Sequence, residues 1–438
     1  MLITGVEMTK DKLKIACIGC GSRGRTYLGL AAEMKDKYEI VAGAEPVPER
    51  LEYVRQISDN PDFQGFANDE EILAQPKLAD LMIVSNQDAQ HVKSCLAAMK
   101  KGYDILVEKP IATNIEDVLE IEKCATELGR RVMVCHVLRY TPFYRKVKEI
   151  VESGVIGDVI SVHMMEGVEP YHQAHSFVRG HWGVKEKSSP MIIAKCCHDM
   201  DILSWVLGGE DCKQVSSFGE LSHYNSDNKP EGAPLRCTDG CPVGDTCLFN
   251  AERRYTTDQK RWLRHVWPLF DLDNPPGTEE IVEWLKVSPW GRCVYQCDNN
   301  VVDHQVVNCQ FESGITASFT MTAFDLGRNI EIYGTKACLR GGDAVKEQSG
   351  KDIILSFHDK SDKQEFVIDP LEGGYAGHGG GDFGIIDDLY KEMTKENPAD
   401  MLTSVQTSVI SHVIGFAAEE SRVEGRTIQI ADFIERHS

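Results

Sequence analysis

No apolar run in this chain approaches the roughly 20 residues that a helix needs to cross a bilayer. The stretch from Met1 to Lys12 has no signal-peptide hydrophobic region. Together these absences predict a protein that stays in the cytoplasm. Basic residues are scarce as well: 47 Lys and Arg stand against 68 Asp and Glu, a formal charge of −21. That excess argues against nucleic acid or an anionic membrane surface as a partner. Internal repeats and low-complexity tracts are also missing. What remains is ordinary globular material, 42% hydrophobic and 26% charged over 438 residues, enough for two or three domains. Many of the 15 cysteines, such as Cys17, Cys95, Cys124 and Cys135, lie inside predicted strands and helices. In a reducing compartment they act mostly as small hydrophobes.

The most informative segment runs from Lys14 to Gly24, where an apolar β-type run breaks into Gly19-x-Gly21-x-x-Gly24 and then into a helical pattern. The first glycine makes the tight turn, the second admits a pyrophosphate to the backbone, and the third lets helix pack on strand. An anion there would lie on the free N–H groups of the helix start, so Ser22 and Arg23 count among the cofactor contacts. A second strand, Glu39 to Glu45, ends in an acid about 20 residues further on. A carboxylate at Glu45 can accept both ribose hydroxyls and would repel a 2′-phosphate, which favours NAD over NADP. Arg50 nearby works the other way.

From Lys14 to Cys135 strands and helices alternate, the pattern of a doubly wound parallel sheet. Strands are expected at 14–19, 39–45, 80–85, 104–108 and 132–135, and helices near 24–35, 48–58, 89–101 and 115–128. Residues 12–136 are therefore read as a nucleotide-binding Rossmann domain. Residues 137–438 are read as an α+β substrate and oligomerisation domain with a mostly antiparallel sheet. Its helices are expected at 142–153, 197–207 and 402–421, and its strands at 158–166, 300–308, 309–322, 328–333 and 337–340. Between about 211 and 297 the pattern gives way to Pro, Gly and six cysteines, which reads as an insertion. An exposed antiparallel sheet with an apolar face predicts a dimer or tetramer.

Glu108-Lys109-Pro110 follows a predicted strand, at the carboxyl edge where open α/β sheets bind ligands. Lys109 there would project towards the nicotinamide end of a cofactor, with Glu108 beside it. Ser85, Asn86, Gln87 and His91 stand at the neighbouring strand end and are expected to line the cofactor groove, while Asp88 reads as a helix cap.

The order of glycine fingerprint, acidic strand end, Glu-Lys-Pro and a mid-chain helix carrying His198-Asp199-x-Asp201 resembles the Gfo/Idh/MocA oxidoreductases. These are relatives of glucose-fructose oxidoreductase and inositol dehydrogenase. The resemblance covers nearly the whole chain except the cysteine-rich block, and Glu108-Lys109-Pro110 is its most specific element. It implies that Lys109 touches both the nicotinamide and the reacting hydroxyl of a sugar or polyol, and that His198 is the family histidine. In physical terms, oxidation of a secondary alcohol needs a base near neutral pKa, and imidazole suits that task. An ammonium at Lys109 would stabilise alkoxide character on the oxygen. A carboxylate from Asp199 or Asp201 could fix the His198 tautomer. Where the family pattern often has an aspartate four residues before the histidine, this chain has Ala194, followed by Lys195. Either Lys195 shares the acid/base work, or it binds a substrate oxygen and the imidazole is oriented from elsewhere.

Tyr140, Arg179, His181 and Trp182 are the expected substrate contacts, since aromatic faces suit sugar C–H surfaces and His or Arg suits hydroxyls. The glycine-rich run 373–382 reads as a loop over the site or as a connector in which Asp382 caps a helix. Cys237, Cys241, Cys247, Cys293 and Cys297 could hold a structural zinc, with an iron–sulfur cluster or plain thiols as alternatives. Their spacing departs from the usual two-residue knuckle. The favoured function is an NAD-dependent oxidoreductase acting on a secondary hydroxyl of a sugar, cyclitol or glycoside. A glycosidase that recycles bound NAD is the nearest rival, and a non-catalytic nucleotide sensor the next.

Overall fold

The protein is described here from a computed structural model covering residues 12–438 apart from 269, 271–273, 360–362 and 370–376. Residues 373–376 of the glycine-rich run therefore lie outside the described residues. The first sheet contains β1 (Leu13–Ile18), β2 (Tyr38–Ala44), β3 (Gln64–Phe66), β4 (Leu81–Val84), β5 (Asp104–Val107) and β6 (Val132–Val134). All its pairs are parallel and the order is β3-β2-β1-β4-β5-β6. Helices cover both faces, which is why Leu81, Met82, Ile83 and Val84 are all fully buried instead of alternating. The strand order reverses between β1 and β4, opening a crevice at their carboxyl ends. Helix α1 (Ser22–Glu33) starts in that crevice. The short β3 and the helix Asp69–Ala74 were not expected from the sequence.

The second sheet has nine strands: β7 (Val159–Val168), β8 (Cys212–Glu220), β9 (His304–Phe311), β10 (Thr316–Thr322), β11 (Leu326–Gly334), β12 (Ala337–Gly342), β13 (Ile353–Phe357), β14 (Lys363–Phe366) and β15 (Ile428–Gln429). Only the β7–β10 pair is parallel. One face packs on the helix Val405–Glu424, with the Ser217 amide donating to Ser421 Oγ at 3.0 Å. The opposite face leaves Ile160, Phe218 and Val306 exposed, the last two directly across from each other. A single apolar core runs from β4 and β5 through the helix Val405–Glu424 into the second sheet, so the two sheets share one interior.

Two readings of the second half are corrected. The segment expected as one strand over 309–322 is a hairpin, because Glu312 to Gly314 turn the chain between β9 and β10. The block from 211 opens with nine residues of sheet strand, β8, whose Val215 and Ser217 point into the core. The irregular part begins only after Glu220. It has small cores of its own, one formed by Ala251, Tyr255, Leu263, Ile281, Leu285 and Trp290. Among the described residues no helix is long and apolar enough to cross a membrane.

Candidate active site

Each glycine of the fingerprint is required for a different physical reason. Gly19 has φ +87°, and a Cβ there would lie 2.5 Å from the Asn86 amide nitrogen. A Cβ on Gly24 would overlap the Gly19 carbonyl oxygen and meet Ser85 Oγ at 2.8 Å. Ser85 Oγ in turn donates to the Gly19 carbonyl at 2.8 Å and holds the turn. Gly21 has nothing within 4 Å of its would-be Cβ, so that side faces open groove. Gly24→Ala should therefore cost about 1–3 kcal/mol of stability. Gly21→Val should leave the melting temperature nearly unchanged and abolish NAD binding by calorimetry. Equal losses of stability in the two variants would contradict this division.

Glu45 lies just past β2, 5% exposed, where Oε1 accepts from the Val47 amide at 3.1 Å and faces Arg50 Nη1 at 3.6 Å. Ser22 opens α1, and its hydroxyl lies 3.2 Å from His265 Nδ1 of the insertion. At the β4 end Asn86 Nδ2 donates to Ser94 Oγ at 3.0 Å, while Gln87 is exposed. Three expected cofactor contacts occupy other positions. His91 is fully buried between the Pro110 and Asn86 carbonyls at 2.9 and 3.3 Å, so it pins the two strand-end loops together. Arg23 is engaged by Glu108 at 2.6 Å and by Asp382 at 2.7 Å. Glu108 accepts from Arg23, from the Tyr27 hydroxyl at 2.6 Å and from the Lys109 amide at 2.9 Å. Burial pushes the Glu108 carboxyl up, but the Arg23 guanidinium outweighs it and holds the group below the usual carboxylate range. Glu108 thus anchors the strand end that presents Lys109.

Lys109 Nζ donates to the Ala194 carbonyl at 2.9 Å, which brings the β5 end against the segment carrying Lys195 and the helix Cys197–Val206 carrying His198. Lys195 Nζ pairs with Glu166 Oε1 at 3.1 Å. Arg328 Nε stands 2.8 Å from both Glu166 Oε2 and Asp199 Oδ1. Asp201 is gripped by Arg139 at 2.8 and 2.6 Å. Neither aspartate is therefore bonded to His198, contrary to the expectation from their spacing. His198 is 3% exposed, and burial, reinforced by the charge of Lys109, pushes its pKa well below the normal value. It is a neutral imidazole able to accept a proton. No individual site role was expected for Glu166, Arg328 or His378, although His378 falls in the glycine-rich run; the His378 ring lies 5.8 Å from that of His198 and its Nδ1 faces Asp382 at 3.0 Å.

His136 and His412 are also held neutral by burial, His412 at about 3. Between about pH 6.5 and 5 these two and His198 take up protons only when unfolded, so stability rises with pH in that window. Each should remove about 1.4 kcal/mol per pH unit as pH falls. Denaturant midpoints measured across this range should decline with falling pH. A flat profile would contradict the burial of three neutral imidazoles.

The expected substrate contacts divide. His181 and Trp182 line a cavity of about 330 Å³ with Asp88, Trp290 and Arg292, and Trp182 Nε1 donates to Asp88 at 2.7 Å. This cavity does not contain Lys109, Lys195 or His198. Tyr140 is 2% exposed and its hydroxyl pairs with Thr403 Oγ1 at 3.1 Å, so it belongs to the core. Arg179 also lines the cavity of His181 and Trp182, but it is buried, and its guanidinium donates to the carbonyls of Arg292 and Phe249, both at 2.7 Å. Nearer Lys195, the His172 ring lies against Trp262 of the insertion, with centroids 4.6 Å apart and the planes tilted by 31°.

The zinc expectation is corrected by the same arginine. Cys237, Cys241, Cys247 and Cys293 line one small cavity, but no group of three or more potential ligands converges there among the described residues. Arg179 also lines it, with Nη2 3.7 Å from Cys237 Sγ. A buried guanidinium puts a positive charge beside these thiols, which opposes a metal cation in the same cavity. Burial also pushes the Cys247, Cys293 and Cys297 thiols up, away from the thiolate a metal needs. All 15 cysteines are free.

Comparison with known proteins gives a consistent picture. A model described as the NAD-binding Rossmann fold of an oxidoreductase family matches residues 13–136, and that family's C-terminal alpha/beta domain matches 148–430. The protein YteT of Bacillus subtilis (strain 168) is 24% identical over 436 residues, 95% of this chain and 98% of its own length. An inositol 2-dehydrogenase of Salmonella typhimurium (strain LT2) is 25% identical over 252 residues, 56% of this chain and 69% of its own. In fold the chain is similar to a levoglucosan dehydrogenase solved with NADH and levoglucosan, with a TM-score of 0.67 at 15% identity, over 96% of this chain and 100% of that one. A scyllo-inositol dehydrogenase from Lactobacillus casei, solved with NAD(H) and scyllo-inositol, gives 0.62 at 15% identity over the same shares.

Proposed function

We propose, from the premise that this chain belongs to the Gfo/Idh/MocA oxidoreductase family, that it is an NAD-dependent dehydrogenase acting on a secondary hydroxyl of a sugar, cyclitol or glycoside. The observation that carries this reading is the Lys109 ammonium held on the Ala194 carbonyl, beside Lys195 and the neutral His198. The open side of Gly21 and the start of α1 fit a pyrophosphate, and the buried Glu45 carboxylate fits ribose hydroxyls. A bound NAD would supply the hydride acceptor for the carbinol carbon. Lys109 then holds the alcohol oxygen and stabilises its developing negative charge. His198 takes the hydroxyl proton. Lys195, fixed by Glu166, binds a second substrate oxygen. His172 and Trp262 offer the apolar face that a sugar ring needs.

The test is a screen of polyols, sugars and glycosides with NAD, read at the nicotinamide absorbance band. Reduction by at least one secondary alcohol is expected, and none across the panel would overturn the reading. Glu45→Ala should weaken NAD far more than NADP, as measured by calorimetry. A wild-type preference for NADP would contradict the role given to Glu45. Closure of the exposed Ile160, Phe218 and Val306 face against a second copy would make the protein a dimer or tetramer. Sedimentation as a monomer would exclude that.

One observation favours the second reading, a glycosidase that recycles its NAD. The later segments contact the sheet edge at three points along the cofactor's path: His265 to Ser22, the Pro268 carbonyl to Arg50 Nε at 3.0 Å, and Trp182 to Asp88. Such cover would slow exchange of the dinucleotide. Purified protein that already carries NAD and cleaves a glycoside without net NADH release would decide for this alternative.

A further inference from the structure

Three imidazole nitrogens in the interior have no hydrogen-bond partner among the described residues, and they belong to neighbouring rings: Nδ1 of His198, and Nδ1 and Nε2 of His136. His136 follows β6 and is fully buried. Its ring stands 6.0 Å from that of His198, centroid to centroid, at 74°. On its other side Nε2 lies 3.6 Å from Asp201 Oδ1, the carboxylate that Arg139 grips. Unsatisfied buried polar atoms are rare, so three in one place need a common explanation.

We propose that His136 is a positioning residue for His198 and that Asp201 sets the polarity of the pair. Burial pushes the Asp201 carboxyl up, but both its oxygens accept from the Arg139 guanidinium, and as the carboxylate of that pair it can only accept. His136 is neutral, because burial and then the charge of Arg139 push its pKa well down, so it carries a single N–H. Facing a carboxylate, that hydrogen sits on Nε2, which leaves His136 Nδ1 as an acceptor. It can be satisfied only if His198 carries its own hydrogen on Nδ1. The two nitrogens are not in direct hydrogen-bond contact, and the ring separation of 6.0 Å is one that a single water can bridge. His412, whose ring lies 5.7 Å from that of His136, is already used: its Nε2 accepts from the Ile111 amide at 3.0 Å and its Nδ1 donates to the Ser408 carbonyl at 3.2 Å.

His198 is thereby held as the Nδ1–H tautomer, with the Nε2 lone pair free to act as a base. When Nε2 accepts the hydroxyl proton, the imidazolium keeps both hydrogens, and its Nδ1–H points along the line to His136 and Asp201. The aspartate missing at position 194 is replaced by a carboxylate that acts through a second histidine.

The inference rests on His198 as the base, but its deciding test reads the tautomer and not turnover. In the full chain labelled with [15N]histidine, the His198 ring signals can be assigned by their loss in His198→Gln. The wild type should carry the His198 hydrogen on Nδ1. His136→Phe should give a mixture of tautomers. Asp201→Asn, whose amide can donate to His136, should shift the hydrogen of His198 to Nε2. His136→Gln, which keeps a donor and an acceptor, should restore Nδ1–H in part, and it carries the test if the Phe variant fails to fold. A His198 tautomer that is the same in the wild type and all folded variants, or an Nε2–H wild type, would overturn the inference. In turnover, His136→Phe should lower kcat about tenfold or more with KM little changed. Full turnover in His198→Ala would instead overturn the base assignment, whatever the spectra show.

Discussion

Lys109→Ala is expected to lower the rate of NADH formation by about a hundredfold or more while NAD affinity changes only a few-fold. The lysine sits on a strand end whose neighbour Glu108 is held by three donors, and its own Nζ is aimed by the Ala194 carbonyl. In so enclosed a site, a fixed positive charge at the alcohol oxygen stabilises the alkoxide more than the neutral alcohol. The loss therefore falls on the transition state and not on binding. Single-turnover rates with a substrate found in the screen, together with calorimetric NAD affinity, check the prediction. A rate within tenfold of wild type, with NAD bound normally, would remove Lys109 from the chemistry. A protein that no longer binds NAD would show that the lysine only shapes the groove.

The second large effect is expected at His198. Asn in its place should lower kcat by about a hundredfold to ten-thousandfold near neutral pH. Part of the rate should return at high pH, where hydroxide can remove the proton. The buried, neutral ring has no competing hydrogen bond to either adjacent aspartate, so its basicity is available to substrate. Lys195 gives the contrast. Its ammonium is tied to Glu166, and Lys195→Met should raise KM with a smaller change in kcat. If instead His198→Asn turns over normally and Lys195→Met does not, the two residues exchange roles.

Much of the first sheet was legible in the sequence because parallel strands buried on both faces are written as continuous apolar runs. β4, with four fully buried residues, is the plainest case. The glycine turn was legible for a similar reason: the steric demand at Gly19 and Gly24 comes from backbone within the same motif or the adjacent loop. β3 was missed because three half-exposed residues carry no periodic signal. β8 was missed because Gly219, Ser216 and Ser217 hide its alternation. The cysteine block misled because clustered cysteines suggest a ligand set, whereas the cavity they line also holds Arg179, 58 residues before Cys237. The pairings of Arg139, Glu166 and Arg328 were not legible, because each joins the site through a partner at least 29 residues away.

By itself the sequence determined the crevice of the nucleotide-binding domain and singled out Glu45, Lys109 and His198 as its expected site residues. Each depends on short-range geometry: a turn, a strand end, the first turn of a helix. Only the tertiary structure decided which charges face which. It assigned Asp199 to Arg328 and Asp201 to Arg139, withdrew Tyr140, His91 and Arg179 into the interior, and brought Trp262 of the insertion onto His172. Buried ions must find a counter-ion wherever the fold provides one, because an unpaired charge in the interior costs several kcal/mol. Those pairings depend on proximity in space, which one-dimensional spacing does not encode.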